Sequence, residues 1–119
     1  MGSLSASYSE DLVGLDGALM IVVQDILRDP AKELRFRAAL KQSENGVPLH
    51  VCAIKAINAA YGTEIPLNGV PSHRPYVDKL LTDLSGKRLA FGLEMDHTFL
   101  NMLASYGPNR MNLLQRYRG

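Results

Sequence analysis

Apolar residues recur at helical spacing along most of this chain, in blocks cut apart by proline and glycine. Leu12, Leu15, Leu19, Val22, Val23 and Ile26 fall three or four residues apart, the period of one helix face. Ser7 and Glu10 stand as a capping box, so the spacing predicts a first helix from there to about Arg28. Gly14 and Gly17 each weaken it by about 1 kcal/mol relative to alanine, which predicts a frayed or bent start. Asp29 can cap a second helix with Pro30 in its first position, running through Leu34, Ala38 and Leu40 and stopping near Ser43, before Asn45-Gly46. Pro48 opens a third helix and Gly62 closes it. Leu49 to Tyr61 is apolar almost all round, the pattern of a helix in the middle of a bundle.

Thr63 to Arg74 reads as a stiff loop, because Pro66, Asn68-Gly69 and Pro71 interrupt it. After Pro75, the stripe Tyr76, Val77, Leu80, Leu81 and Leu84 predicts a fourth helix ending at Gly86. Residues 87–106 admit two readings. Leu89, Phe91, Leu93 and Met95 alternate as a strand does, whereas a helix over the whole stretch gathers Glu94, His97, Thr98, Asn101 and Ser105 on one polar face. The helix accounts for more residues and is the expectation. Pro108 then starts a short terminal helix with Met111, Leu114 and Tyr117 inward. The expected architecture is all-α, a bundle of five to six helices in a single domain over residues 1–119. Residues 1–6 are expected to be unstructured or a cloning remnant.

At 119 residues the chain suits one domain that buries roughly two-thirds of its unfolded surface. Its 46% hydrophobic and 21% charged content is that of an ordinary globular protein rather than a disordered one. The longest apolar run, Ala18 to Val23, falls far short of the roughly 20 residues that span a bilayer, so no membrane partner is expected. The N-terminus lacks the basic region of a signal peptide, and Ala6 stands where a myristoylation pattern wants serine or threonine. A single cysteine makes no internal disulfide, which fits a reducing, cytoplasmic setting. Net charge is +1, too near neutral to argue alone for nucleic acid. The acids gather early, at Glu10, Asp11, Asp16, Asp25 and Asp29, while Arg110, Arg116 and Arg118 close the chain.

Chemistry-bearing residues are few. Cys52 lies in the most apolar helix, where burial keeps a thiol protonated and inert. His50, His73 and His97 are scattered, no zinc spacing is met, and His50 and Cys52 point to opposite sides of their helix, so neither metal nor cofactor is expected. Asp96 falls within the apolar face of its predicted helix, which makes Asp96 with His97 a polar-in-core candidate, either a general base or an edge ion pair. Ser72, His73 and Arg74 precede a helix start, where free N–H groups and the dipole suit an anion, although ordinary capping is the favoured reading. Arg110, Asn112, Arg116 and Arg118 are the candidate binding residues of the tail, of a kind that reaches phosphates and base edges.

No catalytic motif appears. The expected function is therefore that of a small helical interaction or regulatory protein binding the surface of a protein partner. Phe36, Phe91, Met95 and Met102 are candidates for exposed contact residues that would equally serve a homodimer. The alternative is nucleic-acid binding through the arginine-rich C-terminal helix and the Ser72–Arg74 helix start. A helix-turn-helix fits poorly: the third helix is too apolar to read bases, and the fourth is expected to expose Asp78 and Asp83. An enzyme built on Asp96 and His97 is the third reading.

Overall fold

Helix boundaries follow the punctuation closely. The computed structural model describes residues 11–43, 45–91 and 96–105. Their order is β1 (Asp11–Val13), α1 (Leu15–Leu27), α2 (Pro30–Lys41), α3 (Leu49–Tyr61), α4 (Arg74–Ser85), β2 (Leu89–Phe91) and α5 (Asp96–Ala104). Asp29 caps α2 as its chemistry dictates: its carboxylate accepts from the N–H groups of Ala31 and Lys32 at 3.1 and 3.3 Å, and Pro30 takes the first turn. Gly62 and Gly86 end α3 and α4 in the left-handed conformation, at φ 66° and 75°.

Mostly helical describes the chain well, but two stretches depart from the all-α expectation. The first helix begins at Leu15, with Gly14 as its cap, and Asp11–Val13 before it form a strand. β1 pairs in parallel with β2, Asp11 opposite Leu89 and Val13 opposite Phe91. The alternation of Leu89 and Phe91 was therefore the true signal there, residues 92–95 lie outside the described residues, and Asp96–Ala104 is helix. A parallel partner nearly eighty residues away leaves no mark in local spacing, which is why the longer helical pattern looked the better account. The Ser7–Glu10 box, residues 1–6, Met95 and the terminal segment with Arg110, Asn112, Arg116 and Arg118 lie outside the described residues.

The core is shared by every helix. α1 contributes Leu19, Val22 and Ile26, α3 contributes Ile54 and Ile57, and α4 contributes Leu81, all with almost no exposure. Phe91 of β2 meets Phe99 of α5 edge to face at 5.4 Å. The small residues of α3, Ala53, Ala56 and Ala60, are buried and allow neighbouring elements close approach.

α2 is where the sequence reading reversed. Phe36 was a candidate exposed contact, yet it is fully buried and is the only buried residue of its helix, while Leu34 is 71% exposed. The two lie on opposite sides of the helical wheel, so only one can face the core, and the aromatic ring removes more apolar area from water. Phe91 is likewise buried and Met102 is half-buried; among the described residues the large apolar side chains actually exposed are Leu12, Met20, Leu34 and Leu49.

Candidate functional site

Two features of the described surface have the makings of a site: a groove beside α2 and α3, and a cluster of histidines at the starts of three helices. The groove follows from the orientation of α2. Phe36 anchors one face of the helix in the core, and the Arg35 guanidinium donates to the carbonyls of Ala59 and Ala60 at 3.2 and 3.1 Å, fastening α2 to the last turn of α3. The opposite face, Leu34, Arg37, Ala38 and Lys41, is left in solvent at the i, i+3, i+4, i+7 spacing of a single stripe. Leu49 and Cys52, one turn apart on α3, line the same groove, whose volume is roughly 820 Å³.

Leu49 is 57% exposed, so two of the four large exposed apolar residues among those described line this one groove. The thiol of Cys52 lies 3.9 Å from the Val47 carbonyl and is almost wholly covered. Its little-exposed position agrees with the burial expected of it. Arg37 and Lys41 are the only charged residues among the described lining, and both are exposed. Glu44, between α2 and α3 in the sequence, is outside the described residues.

The histidines are not scattered in space. His50 is the second residue of α3, His73 caps the start of α4, and His97 is the second residue of α5, so three helix N-termini converge on three imidazoles. The rings of His50 and His97 stack at 4.0 Å with only 12° between their planes, and each lies 6.2 Å from the ring of His73. His73 is 4% exposed, and its Nε2 lies 2.9 Å from the Pro66 carbonyl. A carbonyl only accepts, so Nε2 carries a proton in this bond and ties the start of α4 to the proline-rich loop.

This cluster is not arranged as a cation site. Imidazole lone pairs lie in the ring plane, so two parallel rings aim them side by side rather than at a common point. The positive ends of three helix dipoles also disfavour a cation. Among the described residues, no group of three histidine, cysteine, aspartate or glutamate side chains could hold a metal ion. The signal in sequence was present but unread: each histidine sits within a residue or two of a helix start.

The other sequence candidates separate. Ser72 Oγ accepts the N–H of Arg74 at 3.0 Å, an ordinary local turn at the helix start, and His73 faces the loop beside it. His97 is exposed rather than in the core, and Asp96 is the first residue of α5. Asp78 is not an exposed acid: it is half-buried and accepts the N–H of Phe91, whereas Asp83 is exposed and pairs with Lys79 at 3.0 Å. No helix among the described residues is long and apolar enough to cross a membrane. No protein-family model, curated protein or solved structure matches the chain.

Proposed function

We propose that this chain is a small helical interaction protein that acts by taking a segment of a partner protein into the groove between α2 and α3. The observation that carries the reading is the exposure of Leu34 and Leu49, from two different helices, in the lining of one groove, while Phe36, on the same helix as Leu34, is fully buried. Exposed leucines scattered singly are ordinary, but two that share a concave surface with a buried floor are where a partner's apolar side chains gain most. The nucleic-acid alternative draws on Arg74 and on tail arginines outside the described residues, and the same experiment separates the two.

The test is affinity capture with the full chain and with a Leu34→Asp, Leu49→Asp variant, each with and without nuclease. Both substitutions fall at exposed positions, so the variant should melt within about 0.5 kcal/mol of the parent. The expected result is a protein recovered by the parent regardless of nuclease and lost by the variant. Recovery of the same material by both, or of nuclease-sensitive material alone, overturns the reading.

A further inference from the structure

Resting on the groove as the interaction site, we infer that its occupant is an amphipathic helical segment of a partner protein, with an apolar stripe flanked by acidic residues. The shape argues for a helix. Leu34 to Lys41 spans two turns, about 10 Å of wall, and it presents a helix stripe rather than a sheet edge. An apolar groove of this kind is filled by side chains at i, i+3 or i+4, and i+7 of a docking helix. The lining combines exposed Leu34 and Leu49 with buried Cys52 and Ala104, which suits apolar anchors inserted from solvent.

Charge selects among the occupants. Arg37 and Lys41 are one turn apart on the α2 wall, and the described lining contains no acid to oppose them. The chain's own terminal residues 106–119 follow closely in sequence on Ala104, which lines the groove, but they carry Arg110, Arg116 and Arg118 and no aspartate or glutamate. A second copy docking through the same face would set Arg37 and Lys41 against their own equivalents. Like charges brought together in this way are a barrier to both pairings, whereas a partner's acids are drawn in by them.

Two fluorescein-labelled synthetic peptides of about four helical turns provide the test. They share one leucine stripe and differ only in carrying glutamate or lysine beside it, and binding to the full chain is read by anisotropy at low and high salt. The glutamate peptide is expected to bind about tenfold more tightly at low salt, with the margin shrinking as salt rises. Arg37→Glu with Lys41→Glu, both at exposed positions, should invert that preference, and Leu34→Asp should abolish binding of either peptide.

Equal binding of the two peptides, or a preference untouched by the charge reversal, overturns the acidic occupant and leaves the groove as the interaction site. If neither peptide binds while Leu34→Asp still loses the captured protein, the helical occupant is wrong and the interaction reading stands. If neither peptide binds and capture is also unaffected, both fall. Concentration-dependent dimerisation of the chain alone, abolished by Leu34→Asp, makes a second copy the occupant. A gain of about tenfold in glutamate-peptide affinity on Leu114→Asp makes the chain's own tail the occupant; either result overturns the inference.

Discussion

The carboxylate of Asp78 on α4 accepts the backbone N–H of Phe91 on β2, so a helix side chain satisfies a strand edge that, among the described residues, has no third strand beside it. One turn along α4, Thr82 Oγ1 accepts the N–H of Leu89 at 3.1 Å and donates to its carbonyl at 3.0 Å. Leu89 and Phe91 thus spend their outward backbone groups on α4, and β1 takes the other edge. Asp78→Ala should destabilise the protein by about 1–3 kcal/mol, because it leaves a part-buried N–H without an acceptor. Asp78→Asn, which keeps an acceptor oxygen, should cost less. Urea unfolding reads the difference, and hydrogen exchange should speed at the Phe91 amide; an alanine variant as stable as the parent would refute the edge-cap role.

Phe36→Ala should cost about 3–5 kcal/mol, since it empties a fully buried aromatic site. Leu34→Ala, two residues earlier, should change stability by no more than about 0.5 kcal/mol. Thermal melts of the pair test the orientation of α2 directly. Comparable losses at both positions would mean the helix is turned differently and the groove is not open.

Gly62 and Gly86 hold positive φ angles with nothing near enough to obstruct an added Cβ. Any penalty for replacing them is therefore conformational rather than a clash. Alanine at either position should cost about 1–2 kcal/mol. Asparagine, which tolerates the left-handed region, should cost less. Equal losses for the two substitutions would point to some cause other than backbone conformation.

Asp25 joins α1 to α2 and α3. Its Oδ2 accepts from Lys32 Nζ at 2.7 Å and from the Tyr61 hydroxyl at 2.8 Å, while the Lys32 ammonium lies 4.6 Å from the centre of the Tyr61 ring. Tyr61→Phe should cost about 0.5–1.5 kcal/mol by removing one hydrogen bond and keeping the ring. Because the three groups share partners, the losses from Tyr61→Phe and Lys32→Met should not add. A double-mutant cycle by denaturant melt measures that coupling, and strict additivity would show that the triad does not act together.

The stack of His50 on His97 joins the starts of α3 and α5. His50→Ala and His97→Ala should show a favourable coupling of about 0.5–1.5 kcal/mol in a double-mutant cycle at pH 8, as aromatic pairs do. Zero coupling would reduce the stack to mere proximity.

The site was less legible than the helices. Sequence reasoning named Phe36 as the exposed apolar residue of its helix and passed over Leu34, because a short helix with apolar residues on both sides of its wheel does not declare which side is buried. That choice belongs to α3, whose apolar surface and last-turn carbonyls receive Phe36 and Arg35 and leave Leu34, Arg37 and Lys41 outside. Leu49, at the start of a helix that looked central throughout, was likewise expected inside. Cys52, by contrast, was placed correctly, since the apolar residues around it in its own helix were enough.

What the sequence determined by itself is local. Asp29-Pro30, Pro48, Gly62, Pro75 and Gly86 mark helix ends, because caps, proline rings and left-handed glycines act on backbone groups within a turn of themselves. What only tertiary structure decided is non-local. The parallel pairing of Asp11–Val13 with Leu89–Phe91, the turning of Phe36 inward over Leu34, and the meeting of His50, His73 and His97 each depend on which surfaces are left to share once the helices are packed. A residue's own neighbours in the chain carry no record of that competition. The groove exists because it was settled in favour of Phe36.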